Sequence, residues 1–338
     1  MGAMDALTDP WSLGPLTIAN RVALAPLAGI GNWFVRLQAR RHGAGLMFSE
    51  MVSSFALHHG NRRTCVEMLR IDPGEREGGT VIVQLFGADA EVMRSASALV
   101  AQAGADAIDL NMGCPVPKVC KTGAGAALLS EPGRAVAVAR AAREGSGLPV
   151  TVKLRSGQRF GDVSGFDLAQ RLVADAGVSA IGFHPRAAAV QHSGSPDYAL
   201  AARLVDKLPV PVVISGGLRD ADSVRRAFAD TGAAAVMLAR GSLGNPWLFQ
   251  ELLGGRLAPP TRSEVLAELG WIADRASEHM GPERAARYLR KFYPWYLVRL
   301  DLSRAQAHRL AQTLQSAGTL EQATAEIEAA CAPSALAA

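Results

Sequence analysis

Thr80-Val81-Ile82-Val83-Gln84-Leu85-Phe86, a helical pattern over Glu91–Ala103 closed by Gly104, and then Ala107-Ile108-Asp109-Leu110-Asn111 form the unit that decides the fold. Two apolar runs flank one amphipathic segment, and the segment stops at a glycine suited to a left-handed helix end. Strand, helix and strand at this spacing predict a parallel βαβ unit. The same beat runs outward in both directions. Further strands are expected at Val22–Leu27, Leu46–Met51, Val150–Leu154, Ala180–His184, Pro211–Ser215 and Ala235–Ala239. Helices are expected at Arg134–Glu144, Asp167–Ala176 and Asp222–Asp230, with stops at Ala176-Gly177 and Thr231-Gly232. Eight strands alternating with helices predict an α/β chain closed as a (β/α)8 TIM barrel. An open doubly wound sheet would carry a glycine fingerprint after its first strand, and Ala25-Pro26-Leu27-Ala28-Gly29 is not G-x-G-x-x-G.

The beat ends near Leu253-Gly254-Gly255. After Pro259-Pro260 the pattern is helical, with helices expected at about 262–280, 283–299, 303–316 and 319–330, Ser303 and Thr319 as N-caps and Gly318 as a stop. The expected organisation is a barrel over 1–255, a smaller all-helical C-terminal domain over 256–332 and a loose tail over 333–338. Met1-Gly2-Ala3 ahead of Met4 reads as an added leader. With 49% of its 338 residues hydrophobic and 20% charged, the chain can bury the large core this plan demands. A net charge of +4 permits an anionic partner without demonstrating one. No apolar run approaches the roughly 20 residues of a membrane span, and no secretory signal opens the chain. Cys65, Cys114, Cys120 and Cys331 include no C-x-x-C pair, so neither a metal site nor a disulfide framework is expected. Free thiols point to a reducing, cytoplasmic compartment.

Chemistry in such barrels sits at the C-terminal ends of the strands. Read in order, those ends are Pro26-Leu27-Ala28, Glu50, Gln84, Asn111 with Cys114, Lys153 with Arg155, His184 with Arg186, Ser215-Gly216-Gly217, and Ala239-Arg240-Gly241. Each alone is an ordinary strand end; eight facing one cavity make a site. Cys114 stands out, because Gly113 and Pro115 end the strand around a thiol that would otherwise pack inside an element. It is a candidate acid or nucleophile, with the Asn111 amide nearby. At the last two ends, Gly216-Gly217 precedes the helix near Asp222, and Arg240-Gly241 precedes Asn245-Pro246-Trp247. Backbone N–H groups, helix N-termini and a guanidinium suit a phosphate there. With Lys153, Gln84 and the Pro26-Leu27-Ala28 backbone facing the centre, the group that fits is flavin mononucleotide (FMN), its reduced ring stabilised by Lys153. No dinucleotide-binding fold accompanies it, so a nicotinamide donor would bind only transiently.

These segments, in this order, resemble the tRNA-dihydrouridine synthases, flavin-dependent barrel reductases. The resemblance covers residues 20–250 or so. It rests most on Asn111-Met112-Gly113-Cys114-Pro115 with Gly123-Ala124-Gly125-Ala126-Ala127, supported by Val152-Lys153-Leu154-Arg155, His184-Pro185-Arg186 and Gly244-Asn245-Pro246-Trp247. It implies an oxidoreductase with FMN held by Pro26, Leu27, Ala28, Gln84, Lys153, His184, Ser215, Gly216, Gly217, Ala239 and Arg240, and NADPH as the transient reductant. It also implies hydride delivery to C6 of a uridine flipped out of tRNA and protonation of C5 by Cys114, giving 5,6-dihydrouridine. Asn111 would orient the base, with Arg155 and Arg186 among the substrate-binding groups.

In the tail, Arg284, Arg287, Arg290, Lys291, Arg299, Arg304 and Arg309 stand against the single acid Asp301, with Tyr288, Phe292, Tyr293, Trp295 and Tyr296 interleaved. The cluster suits RNA phosphates plus packing, and Arg287, Arg290 and Lys291 are its candidate contacts. A cytoplasmic monomer, working without metal or membrane, is the expectation. The chain departs from the family pattern at Pro185 (usually glycine), Ser215 (usually asparagine), Gly217 (often an acid) and Phe292 (usually histidine). The competing reading is an FMN barrel reductase acting on a small molecule, of the dihydroorotate, dihydropyrimidine or ene-reductase type. A barrel that binds RNA without turnover is the third.

Overall fold

A computed structural model describes residues 3–332 other than Gly78; the expected tail over 333–338 lies outside the described residues. Eight parallel strands close on themselves: β1 (Val22–Leu24), β2 (Leu46–Phe48), β3 (Thr80–Phe86), β4 (Ala107–Met112), β5 (Val150–Arg155), β6 (Ala180–His184), β7 (Val212–Ser215) and β8 (Ala235–Leu238). Each pairs with its neighbour in sequence, and β8 returns to β1 with Val236 opposite Val22. β1 stops at Leu24 rather than Leu27. Ala25 makes the last rung, donating to the Leu238 carbonyl at 2.7 Å, and Pro26 has no N–H to continue the ladder. β2 stops at Phe48 rather than Met51, and Val52–Ser53 adds a separate short rung at the far end of β3.

Strand side chains alternate with period two. On the inner face near the N-terminal ends, Ala23, Leu46, Phe48, Ile82, Ala107, Val213 and Met237 pack against Trp11, Leu13 and Ile18. The last three belong to an antiparallel hairpin, Trp11–Leu13 with Leu16–Ile18, that plugs this end of the barrel. The same parity carries Gln84, Asp109, Asn111, Thr151, Lys153, Arg155, His184 and Ser215 along the inner face toward the C-terminal ends. A dry floor and a polar mouth follow from one alternation.

The chain divides into two compact units. Residues through Gly241 with Leu248–Gly255 form the first; Ser242–Trp247 and the chain from Arg256 onward form the second. The second is all-helical. Ser303 and Thr319 are N-caps, accepting the N–H groups of Gln306 and Gln322. The single helix expected over 283–299 is two, Pro282–Leu289 and Tyr293–Leu297. Pro294 cannot donate within a helix and sits instead in the first turn of a new one. Gly318 is not a left-handed stop either: the preceding helix ends on Ala317, and the Gly318 N–H donates to Gln322 Oε1 at 2.9 Å. Tyr288, Phe292, Tyr293 and Tyr296 are buried in the core of this unit, whereas Trp295 among the interleaved aromatics is exposed. No helix among the described residues is long and apolar enough to cross a membrane.

Candidate active site

The polar layer begins at Asp109, which is 1% exposed. It accepts from Thr151 Oγ1 at 2.6 Å and from Gln84 Nε2 at 2.5 Å, and Gln84 Oε1 accepts from Asn111 Nδ2 at 2.9 Å. Lys153 Nζ donates to Ser215 Oγ at 3.2 Å. Burial pushes the Asp109 carboxyl up and the Lys153 ammonium down, and the attraction between the two charges opposes both shifts.

Cys114 follows β4 on a loop whose backbone is held from several sides. Its N–H and that of Gly113 donate to Asn111 Oδ1 at 2.9 and 3.2 Å. Its carbonyl accepts from the Ala126 N–H at 2.9 Å and from Cys120 Sγ at 3.3 Å, while Arg155 Nε holds the Gly113 carbonyl at 3.0 Å. Gly125 permits the Ala126 contact. It sits at φ 63°, and a Cβ there would stand 2.6 Å from the Cys114 carbonyl, which is why glycine precedes Ala126-Ala127.

Burial raises the pKa of the half-buried Cys114 thiol, outweighing the Val116 N–H, Arg155 and Lys153, which lower it. The group keeps its proton at neutral pH, as an acid must and a thiolate nucleophile would not. With Cys65, Cys120 and Cys331 replaced by Ser, alkylation of Cys114 by iodoacetamide should still be accelerating above about pH 9; a plateau below about pH 8 would mark a thiolate.

Asn111, Arg155 and Arg186 have partners inside the protein. Besides Gln84, the Asn111 amide reaches Met51 Sδ at 3.7 Å. Arg155, 5% exposed, also donates to the carbonyls of Ala187 at 3.1 Å and Gln191 at 2.6 Å. Arg186 donates to the Gly194 carbonyl at 2.7 Å and lies 3.2 Å from His184 Nε2. A guanidinium only donates, so that ring nitrogen accepts. Burial, then Lys153, Arg155 and Arg186, push the His184 pKa far below its ordinary value, and the imidazole is neutral. These side chains brace the loops after β4 and β6 around the thiol.

The corner after β7 is built for a close approach. Gly216 sits at φ 95°, and a Cβ there would stand 2.3 Å from His184 Nε2. Tyr198 Oη donates to the Gly216 carbonyl at 2.7 Å. Burial and then the charges of Arg240 and Arg219 depress the Arg186 pKa, and the buried Arg186 Nε has no hydrogen-bond partner. Crowded cations with an orphaned N–H suit a phosphate. Of the two helix ends expected to help, the first has its own cap. Asp220 caps the helix Ala221–Thr231, its Oδ1 accepting the Ser223 N–H at 2.8 Å, so that terminus carries its own anion. Arg240 opens a single 3₁₀ turn, and Asn245-Pro246 belongs to the helical unit, where Gly244 backs onto the Trp295 backbone. The glycine peptides and the guanidiniums remain, with Arg219 added. Gly216→Ala, which combines this clash with about 1–3 kcal/mol of backbone strain, should weaken FMN binding about tenfold or more in a flavin titration.

The profile of the dihydrouridine synthase (Dus) family matches residues 23–335. This chain belongs to the dihydrouridine synthase family. It is 32% identical over 324 residues to tRNA-dihydrouridine synthase B of Pseudomonas aeruginosa, covering 93% of this chain and 96% of the relative. It is 35% identical over 302 residues to a probable tRNA-dihydrouridine synthase of Mycobacterium tuberculosis, covering 84% and 76%. Among solved structures, a 2-naphthoyl-CoA reductase aligns with TM-score 0.60 and 14% identity over 75% of this chain and 53% of that one. A mutant morphinone reductase aligns with TM-score 0.58 and 16% identity over 77% and 94%. Those two share the barrel.

In this dihydrouridine synthase, sequence reasoning overlooks Asp109, Thr151, Tyr198 and Arg219. Asp109 and Thr151 carry a usable signal, each standing two residues before a strand-end residue and so on the same face one layer deeper. Tyr198 and Arg219 carry none. In the helical unit Arg287 and Lys291 are exposed, whereas Arg290 turns inward, its Nη2 donating to the Ala317 carbonyl at 2.9 Å. All four cysteines are unpaired, and among the described residues no cluster of three or more His, Cys, Asp or Glu is arranged to hold a metal ion.

Proposed function

We propose that this protein is a tRNA-dihydrouridine synthase that uses FMN, reduced by NADPH, to convert a tRNA uridine to 5,6-dihydrouridine. The observation that carries this reading is the Cys114 thiol, half-buried and fixed by its backbone at the mouth of a barrel whose lumen holds Lys153 and whose far corner gathers three guanidiniums. The donor set suits FMN. Gly216, Gly217 and Arg240 would hold the phosphate, and the Pro26, Leu27, Ala28 and Ala239 backbone with Gln84, Lys153, His184 and Ser215 would line the ring and its tail.

Bound FMN, once reduced, supplies the hydride that enters at C6 of the uracil. The electron pair displaced from the C5–C6 double bond is left on C5, conjugated with the C4 carbonyl. The Cys114 thiol donates its proton to C5, and solvent returns one to the sulfur. Lys153 places positive charge in a water-poor lumen where negative charge develops. Asn111 and Arg155 set where the thiol stands, while Arg186 belongs to the phosphate corner.

A uridine must leave the RNA stack to reach it, at a cost of a few kcal/mol, so phosphates elsewhere must be gripped. We assign that grip to the helical domain, through exposed Arg287 and Lys291, with Arg290 acting through the fold. The enzyme would act as a cytoplasmic monomer. Replacing Arg287 and Lys291 by Ala should reduce the salt slope of tRNA binding by roughly 1 to 2; an unchanged slope would make them a solvated face. Cells lacking the protein should lose dihydrouridine at a defined set of tRNA positions, and an unchanged dihydrouridine map would overturn the assignment.

A further inference from the structure

The hydrogen bonds of the lumen have a direction. Asp109, as a carboxylate, has only acceptors to offer. Gln84 must therefore turn its NH₂ toward Asp109 and its carbonyl toward Asn111. Asn111 must then present its own NH₂ to that carbonyl, which leaves its Oδ1 for the N–H groups of Gly113 and Cys114. Reversing either amide sets acceptor against acceptor, or N–H against N–H. Asp109 and Gln84 are each 1% exposed, so water cannot repair the mismatch. Thr151 donates to the second Asp109 oxygen at 2.6 Å and holds the carboxylate in place. The carboxylate at one end accepts only and the two backbone N–H groups at the other donate only, so both ends demand the same direction of the amides between them.

We propose that Asp109 is a positioning residue that, together with the Gly113 and Cys114 N–H groups at the other end, locks the direction of the Gln84 and Asn111 amides and thereby secures the backbone placement of Cys114. Its bearing on turnover rests on Cys114 being the proton donor; the direction of the chain does not. Burial raises the Asp109 pKa, while the Gln84 and Thr151 hydrogen bonds and the Lys153 charge oppose the rise and favour the ionised form.

Isosteric exchanges test it. Asn111→Asp puts a second carboxylate beyond Gln84, whose one carbonyl must then face one of them. Combining it with Asp109→Asn moves the charge to the other end. The carboxylate at 111 accepts from Gly113, Cys114 and a reversed Gln84, and the amide at 109 donates to the Gln84 carbonyl while keeping the Thr151 bond. With FMN-loaded protein, Asn111→Asp should form dihydrouridine about tenfold more slowly and melt lower. Adding Asp109→Asn should recover most of both, although Asp109→Asn alone lowers the rate a few-fold, since the Thr151 hydroxyl can turn to accept. The same substitution would harm one background and rescue the other. If Asn111→Asp does not fold, recovery of folded protein in the double variant is the same reversal. Additive losses, with the double variant melting below both single ones, would overturn the proposal. A reversal in melting that dihydrouridine formation does not follow would uphold the direction of the chain and overturn its bearing on turnover.

Discussion

Cys114→Ala is expected to retain FMN and oxidise NADPH, yet to form dihydrouridine about a hundred to ten thousand times more slowly, the usual range for loss of a general acid. The loop should survive the change. Its anchors are the Cys114 N–H on Asn111 and the Cys114 carbonyl under Ala126 and Cys120, none of which uses the deleted thiol. Only the proton source is lost, in a half-buried position where bulk water is a poor substitute. Single-turnover reduction of the enzyme followed by tRNA addition separates the two half-reactions. A wild-type rate of dihydrouridine formation in this variant would reject the acid assignment.

Arg36→Met is expected to lower stability by about 3–5 kcal/mol, the scale for breaking a buried ion pair by removing one partner. Arg36 and Glu75 are 1% and 0% exposed and meet at 2.5 and 3.1 Å. The same guanidinium donates to the Gly31 carbonyl at 3.0 Å and the Arg70 carbonyl at 2.7 Å. It thus braces the loop after β1, whose Pro26-Leu27-Ala28 backbone is assigned to the flavin. Burial raises the Glu75 pKa while Arg36 pulls it down, so removing Arg36 raises it further. A carboxyl whose pKa is higher folded than unfolded binds more protons when folded, and it loses stability as pH rises between the two values. The deficit should therefore be largest at neutral pH and shrink as the solution is acidified toward the folded-state pKa. Urea denaturation at a neutral and a mildly acidic pH measures it; a deficit independent of pH would show that the loss lies in packing alone.

The barrel is legible because its strands are short apolar runs bounded by glycine or proline, and eight alternations with helices leave few topologies. Strand ends expose most of the candidate site for the same reason. What sequence hides is anything that depends on long separation. Arg36 and Glu75 are 39 residues apart, and no local pattern marks them as partners. The hairpin that plugs the floor contains only three-residue strands, too short to announce themselves. Asp220 looks like an ordinary helix start until its side chain is seen occupying the terminus that a phosphate was expected to use. Pro294 is visible in the sequence, yet amphipathic spacing on both sides of it favours one helix over the two that form. Cys114 is legible as an unusual thiol, but its protonation follows from burial, which only the fold reveals.

In the proposed reaction two hydrogens reach one tRNA uracil by different routes. It is tested most directly by incubating the FMN-loaded protein with unmodified tRNA and NADPH in D₂O and locating the label by mass spectrometry of the nucleosides. Dihydrouridine carrying solvent deuterium at C5, delivered through the exchangeable Cys114 thiol, is expected, with none of the product in Cys114→Ala on the same timescale. An absence of dihydrouridine from the wild-type protein, with NADPH consumed instead in the reduction of a small unsaturated carbonyl compound, would contradict it.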